Sequence, residues 1–207
     1  MPPAIRVVAI CRDEEDAVGG FLDQFAPLTR DWCLLDTGST DRTVAVARER
    51  GARVESTSFV DFASARNEAL DRFGAGADWI VMLDLDERLD VESISHIAGL
   101  AASDAFDVCL APLDAVHADG TRRVQTPKLF LFRNDPSLRW TFAVHEKLVG
   151  SMRQALVGIY RFTRAYDCTR TCERRSRATL RCTRSEARNS PISPTPWWRH
   201  VRYRGVR

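Results

Sequence analysis

Short apolar runs alternate with amphipathic stretches along the first two thirds of the chain. Three of these runs have the continuous apolar character of strands that are covered on both faces; they are residues 7–11, 32–35 and 79–83. Between and after them, apolar residues recur at helical spacing, as in residues 42–50 and 62–73. Strands that alternate with helices predict βαβ units, and therefore an α/β fold with a mainly parallel sheet flanked by helices.

The same pattern predicts the remaining elements. One helix should present Val18, Phe21, Leu22 and Phe25 on a single face, and another should present Val91, Ile94, Ile97 and Leu100. Further strands are predicted at residues 52–54, 106–113 and 124–133. Together these elements define a domain over residues 1–150.

Acidic residues follow three of the predicted strands at the point where each strand ends. Asp13 and Glu14 follow the first strand, Asp36 closes the second, and Asp84 and Asp86 follow the fourth. In open α/β sheets, ligands bind outside the carboxyl ends of the strands. Carboxylates that gather there repel one another unless a cation or a donor-rich ligand joins them. The pattern therefore predicts a ligand site at this edge of the sheet.

The Asp84-Leu85-Asp86 triplet is the strongest candidate for a metal site. If the strand continues through it, alternation places both carboxylates on the same side, within reach of one cation. Hard oxygen ligands suit Mg²⁺ or Mn²⁺ bridging a diphosphate. For Asp41, which lies beside Thr40, a simple role as turn former or helix cap is an equally good interpretation.

Four ordered blocks resemble the family 2 glycosyltransferases of the GT-A fold, especially the bacterial subgroup similar to lipopolysaccharide-core and peptide S-glycosyltransferases. They are residues 12–15 (Arg-Asp-Glu-Glu), 35–43 (Leu-Asp-Thr-Gly-Ser-Thr-Asp-Arg-Thr), 61–70 and 78–87. A looser match covers residues 128–133 and 144–146. The resemblance spans about residues 5–150, and in the first block Asp13 replaces the Asn that is usual in the family.

The resemblance implies a role for each matching acidic residue. Asp36 would hydrogen-bond the nucleotide base, and Glu14 would lie beside the base or the ribose. Asp84 would contact ribose or metal, and Asp86 would hold the Mg²⁺ or Mn²⁺ ion that neutralises the departing diphosphate.

Three further residues receive roles on the same basis. Arg66 would offer a planar cationic fork to the nucleotide or its phosphates. An equally good interpretation pairs Arg66 with Asp61 or Glu68 on its own helix. Glu146 would be the base that deprotonates the acceptor, and His145 would be a metal ligand or a donor to the diphosphate.

The resemblance implies sugar transfer with inversion from a nucleotide-diphosphate-sugar donor, with a weak preference for a UDP-sugar. The acceptor would be a cell-envelope glycan or another glycan, lipid-linked or peptide acceptor. Two alternatives remain. One is an inactive or truncated remnant that binds nucleotide sugars without transferring them. The other is a nucleotidyltransferase, which residues 12–15 disfavour because a glycine-rich phosphate loop would be expected in their place.

The charge changes sign near residue 150. Residues 1–150 carry 16 Lys and Arg against 25 Asp and Glu, a net of −9, and residues 151–207 carry 14 Arg against 3 acidic residues, a net of +11. Three explanations of this Arg-rich, irregular tail stay open, and a shifted reading frame is favoured over the other two. The second is a basic arm that touches anionic lipid through Trp197 and Trp198. The third is a zinc site at Cys168, Cys172, Cys182 and His200, whose spacing fits no common zinc module.

The sequence also suggests a location and excludes some partners. No apolar run reaches the ~18 residues that a bilayer span requires, and no secretory signal pattern precedes the first strand. We therefore expect a cytoplasmic protein, with the basic tail as its route to the inner face of the membrane. No nucleic-acid recognition module accompanies the arginines, so nucleic acid is not an expected partner.

Overall fold

The computed structural model describes residues 1–117, 122–157 and 162–166. Its helices are α1 (Glu15–Phe25), α2 (Thr43–Glu49), α3 (Phe62–Phe73) and α4 (Val91–Ala101). Its first strands are β1 (Ile5–Cys11), β2 (Trp32–Asp36), β3 (Arg53–Ser56), β4 (Trp79–Met82) and β5 (Glu87–Leu89). The later strands are β6 (Val108–His117), β7 (Arg122–Arg133), β8 (Arg139–Thr141), β9 (Lys147–Val149), β10 (Gln154–Leu156) and β11 (Phe162–Tyr166).

Nine of these described strands form one twisted sheet. Its order is β3-β2-β1-β4-β7-β6-β11-β5, with β10 also paired to β6. The half that contains β3, β2, β1 and β4 is parallel throughout, and β7 joins it antiparallel to both β4 and β6. Strands β8 and β9 form a separate hairpin. This is a Rossmann-like α/β architecture with a mainly parallel sheet flanked by helices, and the predicted α/β fold class is confirmed.

Apolar side chains cover both faces of the parallel half. Alternate residues of β1 point to opposite faces, so Val7 belongs to one buried cluster and Val8 to the other. The first cluster packs against α1, α2 and α4, and it includes the predicted face of α1. The second packs against α3 and against Trp140 of the β8–β9 hairpin. The sheet is therefore a rigid central layer that fixes where its strands end.

The predicted elements match the structure closely, with differences at their ends. Residues 62–73 form α3 with the predicted bounds, whereas β4 ends at Met82, one residue earlier than predicted, and β6 begins at Val108 instead of residue 106. Strands β5, β8 and β9 were not predicted. Each has three residues, too few for a periodic pattern to be visible.

Two short strands, β10 and β11, lie beyond residue 150 and pair with β6. The domain boundary at residue 150 stays a prediction. Trp197, Trp198 and the zinc candidates Cys168, Cys172, Cys182 and His200 lie outside the described residues, as does most of the basic tail. Among the helices of the described ranges, none combines the length and apolar character needed to cross a bilayer.

Candidate functional site

The acidic residues predicted at the strand ends lie along one rim of the sheet. Strands β2 and β4 flank β1 in parallel, with Cys11 opposite Asp36 and Val8 opposite Met82. The carboxyl ends of all three strands therefore face the same edge, so Asp36 and the turn after β4 are separated by the width of β1. Adjacent strands lie ~4.8 Å apart, so this separation is roughly 10 Å.

A tight turn after β4 gathers three carboxylates. Because β4 ends at Met82, the strand does not continue through the triplet, and a turn instead of strand alternation brings Asp84 and Asp86 together. The chain instead turns at residues 84–87, where the Glu87 N–H donates to the Asp84 carbonyl at 3.0 Å. The Glu87 carboxylate in turn accepts a hydrogen bond from the Asp84 N–H at 3.0 Å. Carboxylate oxygens of Asp84, Asp86 and Glu87 consequently lie within 4.8 Å of one another.

Two cationic side chains form ion pairs with carboxylates of this cluster. The Lys128 ammonium donates to both oxygens of Glu87, at 2.6 and 2.7 Å, and to Asp84 Oδ2 at 3.1 Å. The Arg66 Nη2 donates to Asp84 Oδ1 at 2.6 Å. Glu87 is fully buried, and a buried carboxylate requires such pairing.

Arg66 joins the carboxylate cluster to Glu146. Its Nε donates to Glu146 Oε1 at 2.8 Å, so a single guanidinium holds Asp84 and Glu146 together. The alternative in which Arg66 pairs along its own helix is wrong, because Asp61 caps α3 at Ser64 and Glu68 pairs with Arg72. Helical spacing could not reveal this, because Arg66 lies on the face of α3 that is buried against the sheet.

The environment of Arg66 keeps its charge fixed. The side chain is 4% exposed, and its guanidinium lies over the Trp140 ring, 5.1 Å from the centroid. Burial lowers the pKa of Arg66, but the charges and hydrogen bonds of Asp84 and Glu146 outweigh burial and raise that pKa above its usual value. Arg66 therefore stays cationic inside the site.

Glu146 and His145 lie in the loop between β8 and β9. This loop contains two non-glycine residues with positive φ, Phe142 at 72° and His145 at 56°, a conformation that costs L-residues energy. The Phe62 N–H donates to the Ala143 carbonyl and holds the loop against the start of α3. Glu146 points to Arg66, whereas His145 is exposed and is not part of the three-carboxylate group. The catalytic roles of both residues stay predictions.

Asp36 is buried at the end of β2. Its carboxylate accepts the Gly38 N–H at 3.3 Å and the Ser39 N–H at 3.1 Å, and its exposure is 4%. These bonds shape the turn in which Gly38 adopts a φ of 104°, a region that favours glycine. Asp36 thus has a local structural role, and its contact with a nucleotide base stays a prediction.

Residues of the first two resemblance blocks, 12–15 and 35–43, form hydrogen bonds with one another. Asp13 has a φ of 52°, its carboxylate accepts the Thr40 N–H at 2.7 Å, and its backbone N–H donates to the Ser39 hydroxyl oxygen at 2.9 Å. Asp and Asn tolerate this left-handed conformation better than other residues with a Cβ, which explains why Asp can replace the usual Asn.

Glu14 and Asp41 add further hydrogen bonds between the same two blocks. The Glu14 N–H donates to the Thr43 hydroxyl at 2.6 Å, and the Glu14 carbonyl accepts the first helical N–H groups of α1. Asp41 accepts the Thr43 N–H at 2.9 Å and the Glu15 N–H at 3.2 Å. Of the two interpretations of Asp41, the structure supports the turn-forming one. Contact of Glu14 with a base or ribose stays a prediction.

Sequence reasoning missed Lys128 and Glu87 as members of the site. Glu87 belongs to the acidic run that the sequence shows, but its burial depends on the turn at residues 84–87, after which β5 begins. The chain contains 28 Arg and only two Lys, at positions 128 and 147. Because Lys147 is exposed, this rarity did not single out Lys128, and its place in the site follows only from the pairing of β7 with β4.

The donor set at residues 84–87 fits a hard divalent cation. It offers carboxylate oxygens alone, which Mg²⁺ and Mn²⁺ prefer, and it places them close enough to share one ion. Asp84 and Asp86 are half-buried, so the cluster is accessible from the rim. Asp84, Asp86 and Glu87 are therefore the residues that would hold a metal.

Comparison with known proteins identifies a family. Residues 7–179 match the model of glycosyl transferase family 2. A TPR repeat-containing protein of Synechococcus elongatus is 33% identical over 156 residues, which cover 72% of this chain and 37% of that protein.

Solved structures show a weaker likeness. A mycobacterial protein is 26% identical, with a TM-score of 0.45, over 55% of this chain and 42% of its own. Glucosyl-3-phosphoglycerate synthase from Mycobacterium tuberculosis, solved with Mn²⁺, uridine diphosphate and glucosyl-3-phosphoglycerate, is 23% identical, with a TM-score of 0.46, over 54% of this chain and 44% of its own. The chain thus spans less than half the length of each of these proteins.

Proposed function

The chain belongs to glycosyl transferase family 2, and we therefore propose that it transfers a sugar, with inversion, from a nucleotide-diphosphate donor to an acceptor. The observation that carries this proposal is the three-carboxylate group at the rim of the parallel sheet, joined through Arg66 to Glu146. Side chains 62 positions apart in the sequence, Asp84 and Glu146, thereby meet at one guanidinium.

The donor would bind with its diphosphate next to residues 84–87. A Mg²⁺ or Mn²⁺ ion held by Asp84, Asp86 and Glu87 would supply the positive charge that stabilises a leaving diphosphate. Arg66 fixes the position of Asp84. Asp36 and Glu14, at the ends of β2 and β1, would lie towards the nucleoside, for which uridine is the first choice to test.

Transfer needs a base on the acceptor side. In this proposal the acceptor hydroxyl gives its proton to the Glu146 carboxylate while its oxygen bonds to the anomeric carbon. The bond between that carbon and the diphosphate oxygen breaks at the same time, and the electron pair leaves with the nucleoside diphosphate. Arg66 orients Glu146, and His145 lies beside it in the loop as a candidate donor to the diphosphate. The acceptor would be a cell-envelope glycan or another glycan, lipid-linked or peptide acceptor.

The proposal is tested by donor binding and turnover with the Asp86→Asn variant, which removes one metal-ligand charge and keeps the shape of the side chain. We expect UDP affinity in the presence of Mn²⁺ to fall by about tenfold or more, because a hard cation depends on each carboxylate. Calorimetry measures the binding, and release of nucleoside diphosphate from a panel of nucleotide sugars measures the turnover. Asp71→Asn is the matched control, because Asp71 is an exposed aspartate that pairs with Arg139 away from the site.

The outcomes separate the competing functions. Unchanged UDP affinity in Asp86→Asn with Mn²⁺ present would contradict the proposed site. Binding of nucleotide sugars without transfer to any acceptor would favour the alternative of a nucleotide-sugar-binding remnant. Release of a sugar 1-phosphate instead of nucleoside diphosphate would indicate nucleotidyl transfer.

A further inference from the structure

Lys128 occupies the carboxylate cluster that the proposed function assigns to a divalent cation. Its position follows from the sheet. In the antiparallel pairing of β7 with β4, Arg133 lies opposite Trp79 and Leu131 opposite Val81. The same register, continued past the end of β4, brings Lys128 level with Asp84. The side chain then reaches Glu87 and Asp84 at 2.6–3.1 Å.

The contacts of Lys128 are those that a metal ion would need. Its ammonium bonds both oxygens of Glu87 and one oxygen of Asp84, two of the three candidate ligands. A cation that enters the cluster must displace the ammonium from these oxygens or bind close beside a like charge, and either is unfavourable. The Lys128 side chain is 23% exposed, so it is not sealed in the core as Glu87 is.

We propose that Lys128 is a displaceable counter-ion that couples metal binding to diphosphate binding, an inference that rests on the proposed function. Without nucleotide, Lys128 competes with the divalent cation for Asp84 and Glu87. The diphosphate of a bound nucleotide offers the ammonium another anionic partner at the same place, so Lys128 releases the carboxylates to the metal. Metal and nucleotide therefore bind cooperatively, and each raises the affinity of the other by the same factor.

The test measures Mn²⁺ affinity of the full chain with and without saturating UDP, by calorimetry or by electron paramagnetic resonance of free Mn²⁺. For the wild type we expect weak binding of Mn²⁺ alone and a gain of about tenfold or more with UDP. In Lys128→Met, Mn²⁺ alone should bind about tenfold tighter, and the gain from UDP should be clearly smaller than in the wild type, because only the direct contact between metal and diphosphate still couples the two. Lys128→Arg keeps the charge and should retain weak binding of Mn²⁺ alone.

Lys147→Met is the matched control, because it changes the other lysine of the chain in the same way. Lys147 is exposed and lies over the Phe142 ring, 5.8 Å from its centroid. It should leave both Mn²⁺ affinities at wild-type values. Should Lys128→Met fold poorly, Lys128→Gln removes the charge while keeping a donor for Glu87, and the same shifts are expected.

Three results would overturn the inference. The first is a wild type whose Mn²⁺ affinity is the same with and without UDP. The second is a neutral Lys128 variant with wild-type Mn²⁺ affinity and wild-type coupling, in which case the lysine is only structural. The third is a wild type that binds no UDP in the presence of Mn²⁺. The first and third results count against the proposed function as well as the coupling, whereas the second leaves the proposed function standing.

Discussion

Replacing Arg66 with methionine tests whether one guanidinium holds the site together. Methionine keeps the length and most of the volume of the side chain, so the change removes the charge and its bonds more than the packing. It leaves Asp84 and Glu146 without their shared partner, and it removes the cation that lies over the Trp140 ring. Lys128 still contacts Asp84, whereas Glu146 loses the ion pair with Arg66.

The expected loss of stability follows from burial. Removing one partner of a buried ion pair costs about 3–5 kcal/mol, because the remaining charge is left without compensation. The guanidinium is almost fully buried, but the side chains of Asp84 and Glu146 are 22% and 17% exposed and keep some contact with water. We therefore expect the lower part of that range, about 3 kcal/mol, for Arg66→Met.

Urea unfolding followed by circular dichroism measures this loss through the shift of the midpoint. Arg72→Met is the control on the same helix, because Arg72 also pairs with two carboxylates, Glu55 and Glu68, but on the surface. Exposed pairs of this kind contribute little to stability, because solvent screens them. A second variant, Arg66→Met combined with Asp84→Asn and Glu146→Gln, removes all three charges and should recover much of the lost stability.

Two results would refute the reasoning. If Arg66→Met costs no more than Arg72→Met, the guanidinium does not compensate the two carboxylates in the folded protein. If the triple variant is as unstable as Arg66→Met, the loss comes from packing against Trp140 and not from uncompensated charge.

Two further predictions concern acidic residues away from the metal cluster. Asp13→Asn should change the unfolding free energy by less than about 0.5 kcal/mol, because Asn accepts the Thr40 N–H and tolerates the left-handed backbone. Asp13→Ala should cost about 1–2 kcal/mol in the same urea assay, because alanine loses that hydrogen bond. Equal costs for the two variants would contradict this prediction. For Asp107, side-chain and backbone hydrogen bonds from Arg153 lower the carboxyl pKa below its usual value. The stability that this carboxylate contributes is therefore present above about pH 4 and is lost as the pH falls through the lowered pKa. The destabilisation caused by Asp107→Asn should be largest near neutral pH and shrink in acid, and a midpoint difference that is constant with pH would argue against the role of Arg153.

The sequence was sufficient for the elements that have a long repeating pattern. Helix α3 has the predicted bounds, and the predicted face of α1 is buried, because a helix of three turns repeats its apolar positions often enough to be recognised. The end of β2 at Asp36 was predictable because a continuous apolar run has a clear last residue, and the end of β4 before Asp84 was placed to within one residue in the same way. The shared rim then follows from the rule that βαβ units place their strands in parallel.

The parts that sequence could not predict depend on contacts between distant segments. The three-residue strands β5, β8 and β9 have no periodicity of their own, and they exist because other strands pair with them. The partners of Arg66 lie 18 and 80 positions away, so the choice between them and the helical neighbours depends on tertiary packing. Local spacing offered Asp61 and Glu68 as equally good partners because it compares only residues on one helix.

The charged residues of the site show why the sequence reveals the acidic motif but not the cations that pair with it. Asp84, Asp86 and Glu87 stand together in the sequence, whereas the cations that pair with them come from α3 and β7. Counting only Asp84, Asp86, Glu87, Glu146, Arg66 and Lys128, four negative and two positive charges leave a net of −2, which a single divalent cation would neutralise. A diphosphate brings negative charge to the same place and needs more cation than the metal supplies. The Lys128 ammonium can leave the carboxylates of Asp84 and Glu87 and bind the phosphate of the ligand instead. The residue that stabilises the site without ligand therefore also favours the binding of metal and nucleotide together.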